Sequence, residues 1–121
     1  MFDGDYATTT VAIGEFDPLQ CCADAAMAAF VHDRWLARRL PLLMKAAGFD
    51  VKQFDGHAYV QAIEPQYLLT LVDRGTEALH AAGSIGLELG QALKAEARRR
   101  IDVGAFYGSI TFVSVIAERP S

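Results

Sequence analysis

The sequence predicts an α/β domain, a small sheet with its last strand in the middle and about four helices around it. Four observations carry that prediction. The run Gly108-Ser109-Ile110-Thr111-Phe112-Val113-Ser114-Val115-Ile116-Ala117 is rich in β-branched and aromatic residues, the signature of a strand. Ile110, Phe112 and the pair Val115/Ile116 are too apolar for a strand with one face in water, so neighbours are expected on both sides. The remaining segments alternate as strand, two helices, strand, two helices before that last strand. Finally, 121 residues with 52 % apolar and 21 % charged can build one core and are not a disordered composition.

The elements follow in order. Residues 1–12 read as extended, with Thr8, Thr9, Thr10 and Val11 favouring strand or loop, and Asp3-Gly4-Asp5 placed where a strand would end. Asp17-Pro18 opens the first helix, Asp as the cap and Pro at the first helical position. Leu19, Cys22, Ala23, Ala26 and Phe30 recur at helical spacing to about Val31. Asp33 can cap a second helix, whose stripe is Leu36, Leu40, Leu43, Met44 and Ala47. Pro41 falls inside it, so the helix begins near Arg39 or kinks. Gly48 stops it, with Phe49 placed for the accompanying contact. Residues 51–60 read as a strand with a bulge at Asp55-Gly56. Glu64-Pro65 opens a third helix that buries Tyr67, Leu68, Leu71, Val72, Ala78 and Leu79 and ends at Gly83. The fourth, over 84–101, turns Leu87, Leu89, Leu93 and Ala97 inward and ends at Gly104. The first two strands are joined by a crossover and should run parallel, with the helix over 36–47 on one face.

Composition narrows the function classes. A net charge of −4 argues against a nucleic-acid surface. The arginine clusters 34/38/39 and 98/99/100 read as solvated helix faces and helix C-termini. No apolar stretch is long enough to span a bilayer, and the start Met1-Phe2-Asp3-Gly4-Asp5 does not read as a signal peptide. Cys21 and Cys22 are adjacent and suit neither a disulfide framework nor a metal site. They read as buried small residues in a reducing cytoplasm.

Three pieces of the chain are similar to one known family. Arg38-Arg39-Leu40-Pro41-Leu42-Leu43, followed by Ala46-Ala47-Gly48-Phe49-Asp50-Val51, resembles the last helix and sixth strand of class I S-adenosylmethionine-dependent methyltransferases. The ending Gly104-Ala105-Phe106-Tyr107-Gly108, Phe112-Val113 and Ala117-Glu118-Arg119-Pro120 resembles their seventh strand. Phe2-Asp3-Gly4-Asp5-Tyr6-Ala7-Thr8 looks like the exit of their fifth strand, in the branch that methylates small metabolites. The resemblance implies a partial Rossmann-like fold, a three-stranded mixed sheet with the last strand antiparallel and central. It also implies that residues 61–105 are a helical insertion, either a lid over the substrate or a hairpin beside the sheet.

In the family the cofactor lies in the half that precedes these elements, on a glycine-rich turn after the first strand and on acids after the second and fourth. Gly83, Gly86 and Gly90 lie between two helices instead, so S-adenosylmethionine is expected in the parent family and not on this chain alone. The substrate-side portion of a methyltransferase acting on a small metabolite is therefore expected. The alternative is a non-catalytic homo-oligomeric binding or assembly module derived from one. An unpaired first strand implies a homo-oligomer or a complementing cofactor-binding half, and neither nucleic acid nor membrane as partner.

By the same resemblance, residues just after the fifth strand face the acceptor. Asp3, Asp5 and Tyr6 hold those positions, the two acids as candidate bases and Tyr6 as a substrate ligand or core residue. His32, at the junction of the first two helices, is a candidate base near neutral pH or a residue favourable to a helix end. Trp35 and Arg38 are candidates to line a substrate pocket, and Tyr107 faces the substrate mouth in the family. His57 and His80 lack ligand spacing, and no metal site is expected.

Overall fold

A computed structural model describes residues 1–120. Among them the elements are β1 (Phe2–Thr10), α1 (Pro18–Phe30), α2 (Leu36–Ala46), β2 (Asp50–Gln61), α3 (Gln66–Ala81), α4 (Leu87–Asp102) and β3 (Gly108–Glu118). The sheet order is β1-β3-β2, and β3 is antiparallel to both neighbours. The last strand is therefore central. β1 and β2 point the same way but are separated by β3, so adjacent strands are antiparallel throughout. None of the described helices is long and apolar enough to cross a membrane.

Alternation along β3 divides the molecule. Ile110 and Phe112 face α1, α3 and α4, where the larger core contains Leu19, Cys22, Met27, Leu68, Val72 and Phe106. Val113 and Val115 face α2, where the smaller core adds Ala37 and Leu40. β2 pairs with β3 from Asp50↔Glu118 to Gln61↔Gly108. The bulge in β2 is at Lys52, not at Asp55-Gly56. Asp55 and Gly56 each have a β3 partner, Ser114 and Val113, whereas Lys52 has none. Asp3-Gly4-Asp5 lies inside the β1 ladder rather than at its end, opposite Val113, Phe112 and Thr111. Regular pairing stops after Asp5, and the Thr8 hydroxyl accepts the Thr111 N–H (2.9 Å) where the ladder is missing.

Helix α1 crosses α3 at backbone distance. A Cβ built on Gly75 would stand 1.6 Å from the Cys22 carbonyl oxygen. Beside it the Thr76 hydroxyl donates to the Val72 carbonyl (2.7 Å) and lies 3.3 Å from the Cys22 sulfur. Cys22 is thus a packing residue, but Cys21 is exposed, since only one of two adjacent helix positions can face α3. Phe30, Leu87, Leu89 and Tyr67 are also more than two-fifths exposed, against the expectation that they are inward. α2 runs from Leu36 straight through Pro41, and Asp33 accepts from the Trp35 N–H (3.0 Å) just ahead of it. Leu43 is 46 % exposed because the sheet presents only a narrow apolar strip to α2. Gly48, at φ +93°, ends the helix as its sequence position implies, and Phe49 N–H closes on the Met44 carbonyl (3.0 Å).

One buried ion pair ties the two ends of the helical layer. Asp17 caps α1 by accepting from Leu19 N–H (3.0 Å), and it also accepts from Ile13 N–H (3.0 Å). Arg100, in the last turn of α4, grips the same carboxylate through Nη1 (2.6 Å) and Nη2 (2.9 Å). Arg100 Nε reaches Glu96 (2.7 Å), and the Arg100 carbonyl accepts from Ala105 and Phe106 as the chain turns toward β3. Side-chain exposure is 8 % for Arg100 and 3 % for Asp17. Burial pushes the Asp17 pKa up. The hydrogen bonds from Arg100, Ile13 and Leu19, with the guanidinium charge, outweigh that and hold it below the usual carboxylate value.

Two outcomes are expected. Gly75→Ala forces α1 and α3 apart and costs about 2–3 kcal/mol in urea unfolding, whereas Gly14→Ala, in open space, changes stability by less than about 0.5 kcal/mol. Asp17→Asn keeps a capping side chain but leaves the buried Arg100 charge with Glu96 alone, and costs about 2–3 kcal/mol at pH 7. Because the Asp17 pKa is lowered by folding, its contribution is complete above the unfolded value of about 4 and is lost as pH falls through the folded one. Stability measured from pH 5 downward therefore falls less steeply in Asp17→Asn than in the native chain.

Candidate functional site

Asp5 and Tyr6 are neighbours in sequence, but strand alternation sends them to opposite faces of β1. Asp5 goes to the α2 side. Both of its oxygens accept from Arg38 Nε, at 3.2 and 2.9 Å, and its side chain is 11 % exposed. The Arg38 guanidinium lies 4.6 Å from the centre of the Trp35 ring. Three sequence candidates thus form one cluster, but they are bonded to one another. A carboxylate held at both oxygens by a guanidinium is poorly placed to take a proton from a ligand. Asp3 shares that side of the strand, opposite Val113, and its carboxylate accepts from Gly4 N–H (2.8 Å) at the free edge of the sheet.

Tyr6 goes to the helical side and packs on the larger core. There it lines a groove of about 390 Å³ together with His32, and these two sequence candidates do share a site. The groove is built by three elements. The end of α1 supplies Met27 and Phe30, and Val31 leads on to His32. From α3 come Tyr67, Leu71 and Arg74, at i, i+4 and i+7 on one stripe. The loop carrying His32 is fastened to β1 by the Ala7 N–H, which donates to the Arg34 carbonyl (3.2 Å). Asp33 further holds that loop by accepting from Trp35 N–H and from Arg39. Tyr107 stands at the end of the sheet where β1 and β2 finish, 38 % exposed and outside the groove.

The polar lining comes from four side chains. Arg74 carries a full charge, His32 offers a ring nitrogen, and Tyr6 and Tyr67 offer hydroxyls. Among the described residues no carboxylate lines the groove. Burial first, then proximity to Tyr67 and to Asp3, raises the Tyr6 pKa above its ordinary value, so the phenol stays protonated and can donate. The volume falls within the range of small-molecule sites, roughly 300–1,000 Å³. A second hollow of about 160 Å³ lies between α3 and α4 beside the Lys94–Glu77 ion pair, and no candidate residue reaches it.

Comparison with protein-family models, with curated proteins and with solved structures finds no match. What the site can do rests on its own chemistry.

Sequence reasoning places Tyr67 on the buried side of its helix and assigns Arg74 nothing. The signal is present all the same. Arg74 continues the stripe of Tyr67 and Leu71, where a helix facing only core would carry another apolar residue. In a spectrophotometric titration one phenol ionises above the ordinary value near 10, and Tyr6→Phe removes that step.

Proposed function

We propose that this chain is the substrate side of a class I S-adenosylmethionine-dependent methyltransferase acting on a small metabolite. One observation carries it: the terminal strand is inserted antiparallel between two strands that run the same way. In the family that the sequence resembles, the seventh strand enters between the fifth and sixth in that manner. β1, β3 and β2 then correspond to strands five, seven and six, and α2 to the helix before strand six. The groove opens where regular pairing of β1 stops, the side on which that family holds its acceptor.

The cofactor does not fit the residues in hand. Gly83 and Gly86 occupy the turn from α3 to α4, and Gly90 packs on Thr76 and Ile85. The first backbone N–H groups of α1 point at Asp17, which takes the Leu19 N–H for itself. Among the described residues no strand delivers a glycine turn to a nucleotide. What these residues do is hold the acceptor. Tyr67, Phe30 and Leu71 offer apolar walls, and Tyr6 donates a hydrogen bond. His32, exposed at the rim, is the group placed to accept a proton from the acceptor.

The test joins this chain to the cofactor-binding half of a class I methyltransferase and measures label passing from methyl-labelled S-adenosylmethionine to small phenols. Transfer is expected only when both halves are present, and His32→Gln slows it by about tenfold or more. Transfer independent of this chain would overturn the proposal, as would micromolar binding of S-adenosylmethionine by this chain alone.

A further inference from the structure

We propose that the groove between Tyr6 and Tyr67 selects an aromatic acid, with its carboxylate paired to Arg74. This deepens the methyltransferase reading by naming the acceptor class, and it rests on that groove being the acceptor site.

Most cations of the helices are engaged, Lys45 at the far end of α2 apart. Arg38 binds Asp5, Arg39 binds Asp33, Lys94 binds Glu77, and Arg98 binds Asp73. Arg99 and Arg100 share Glu96, and Arg100 holds Asp17 as well. Arg74 has no carboxylate partner among the described residues. The acids nearest to it on its own helix, Asp73 and Glu77, are taken by cations of α4. Its guanidinium instead lies 5.6 Å from the centre of the Phe30 ring, at the wall of the groove. In a chain of net charge −4, that leaves a positive group at a largely apolar hollow whose lining, among the described residues, holds no acid.

The rest of the lining sets the shape and the direction. Tyr67, Phe30 and Leu71 present flat or apolar surface to a ring. A guanidinium fork matches a planar carboxylate at two points, which suits an acid lying in the plane of such a ring. The carboxylate therefore goes to Arg74, and the neutral hydroxyl end of the ligand goes to Tyr6 and His32. That end is the one a group-transfer site would act on.

The probes are 4-hydroxybenzoate, its neutral analogue 4-hydroxybenzamide, and inorganic phosphate, each titrated into the full chain and followed by amide chemical shifts. The expected result is that 4-hydroxybenzoate moves the amides of Val31, Tyr67 and Leu71. It should bind at least about tenfold more tightly than the amide. Arg74→Gln, at an exposed position, abolishes that preference, and Arg74→Lys retains part of it. Equal binding of acid and amide, a preference that survives Arg74→Gln, or shifts centred on Trp35 and Arg38 would each overturn the proposal. Phosphate binding as strongly as the aromatic acid would overturn it too, leaving a bare anion contact. The two readings fail separately. Arg74-dependent binding of the acid with no methyl transfer in the joined protein removes the methyltransferase function and keeps the ligand class. Transfer to neutral phenols without acid binding does the reverse.

Discussion

Everything in this chain is arranged around burying β3 on two faces at once. A strand in that position needs a hydrogen-bonded neighbour on each edge and a layer on each side. β1 and β2 supply the edges, and the helices supply the layers unequally. α1, α3 and α4 make a deep core over Ile110, while α2 alone covers Val113 and Val115. Closing the deep side requires the chain ends of the helical layer to meet, and the Asp17–Arg100 pair is where they do. That pair caps α1, ends α4 and aims residues 105 and 106 at the start of β3. Two buried charges are a costly way to make a joint, and they hold only because several donors share the carboxylate.

The same two-faced strand decides which functional candidates can cooperate. Period-two alternation puts Asp5 with Arg38 and Trp35 on the thin side and Tyr6 with His32 on the deep side. No single pocket can use both sets. On the deep side three elements converge around a hollow that Tyr6 and His32 both line, whereas Asp5, Arg38 and Trp35 close on one another. Tyr6 is the hinge between the two descriptions, a β1 residue at the point where pairing with β3 gives way.

Much of this architecture was legible in the residues. Element order, the central place of the last strand, the Asp17 cap and the Gly48 stop follow from local chemistry that acts within a few positions. The placement of side chains on long-range faces was less so. Phe30, Tyr67, Leu87 and Leu89 have helical spacing but lie on the margins of their stripes, and only the position of the neighbouring helix decides their exposure. The Asp55-Gly56 pair looked like a ladder defect because both residues disfavour strands, yet β3 offers each a partner and the defect moved to Lys52. Of the site, Tyr6 and His32 were visible. The Asp5–Arg38 pair was not, since 33 residues separate its members and nothing local joins them.

Arg74 shows why charge pairing is more informative than charge counting. Net charge and the arginine clusters point to solvated surface, and for α4 that is what they are, with Arg98 and Arg99 tied to acids of α3 and α4. Those pairings have a consequence one helical turn away. By engaging Glu77, Lys94 of α4 takes the acid of α3 that stands three residues from Arg74, at pairing distance along the helix. The helical hairpin is then more than cover for the sheet. With those pairs made, Arg74 is left without a carboxylate among the described residues, exposed at the wall of the groove that Tyr6 and Tyr67 also line.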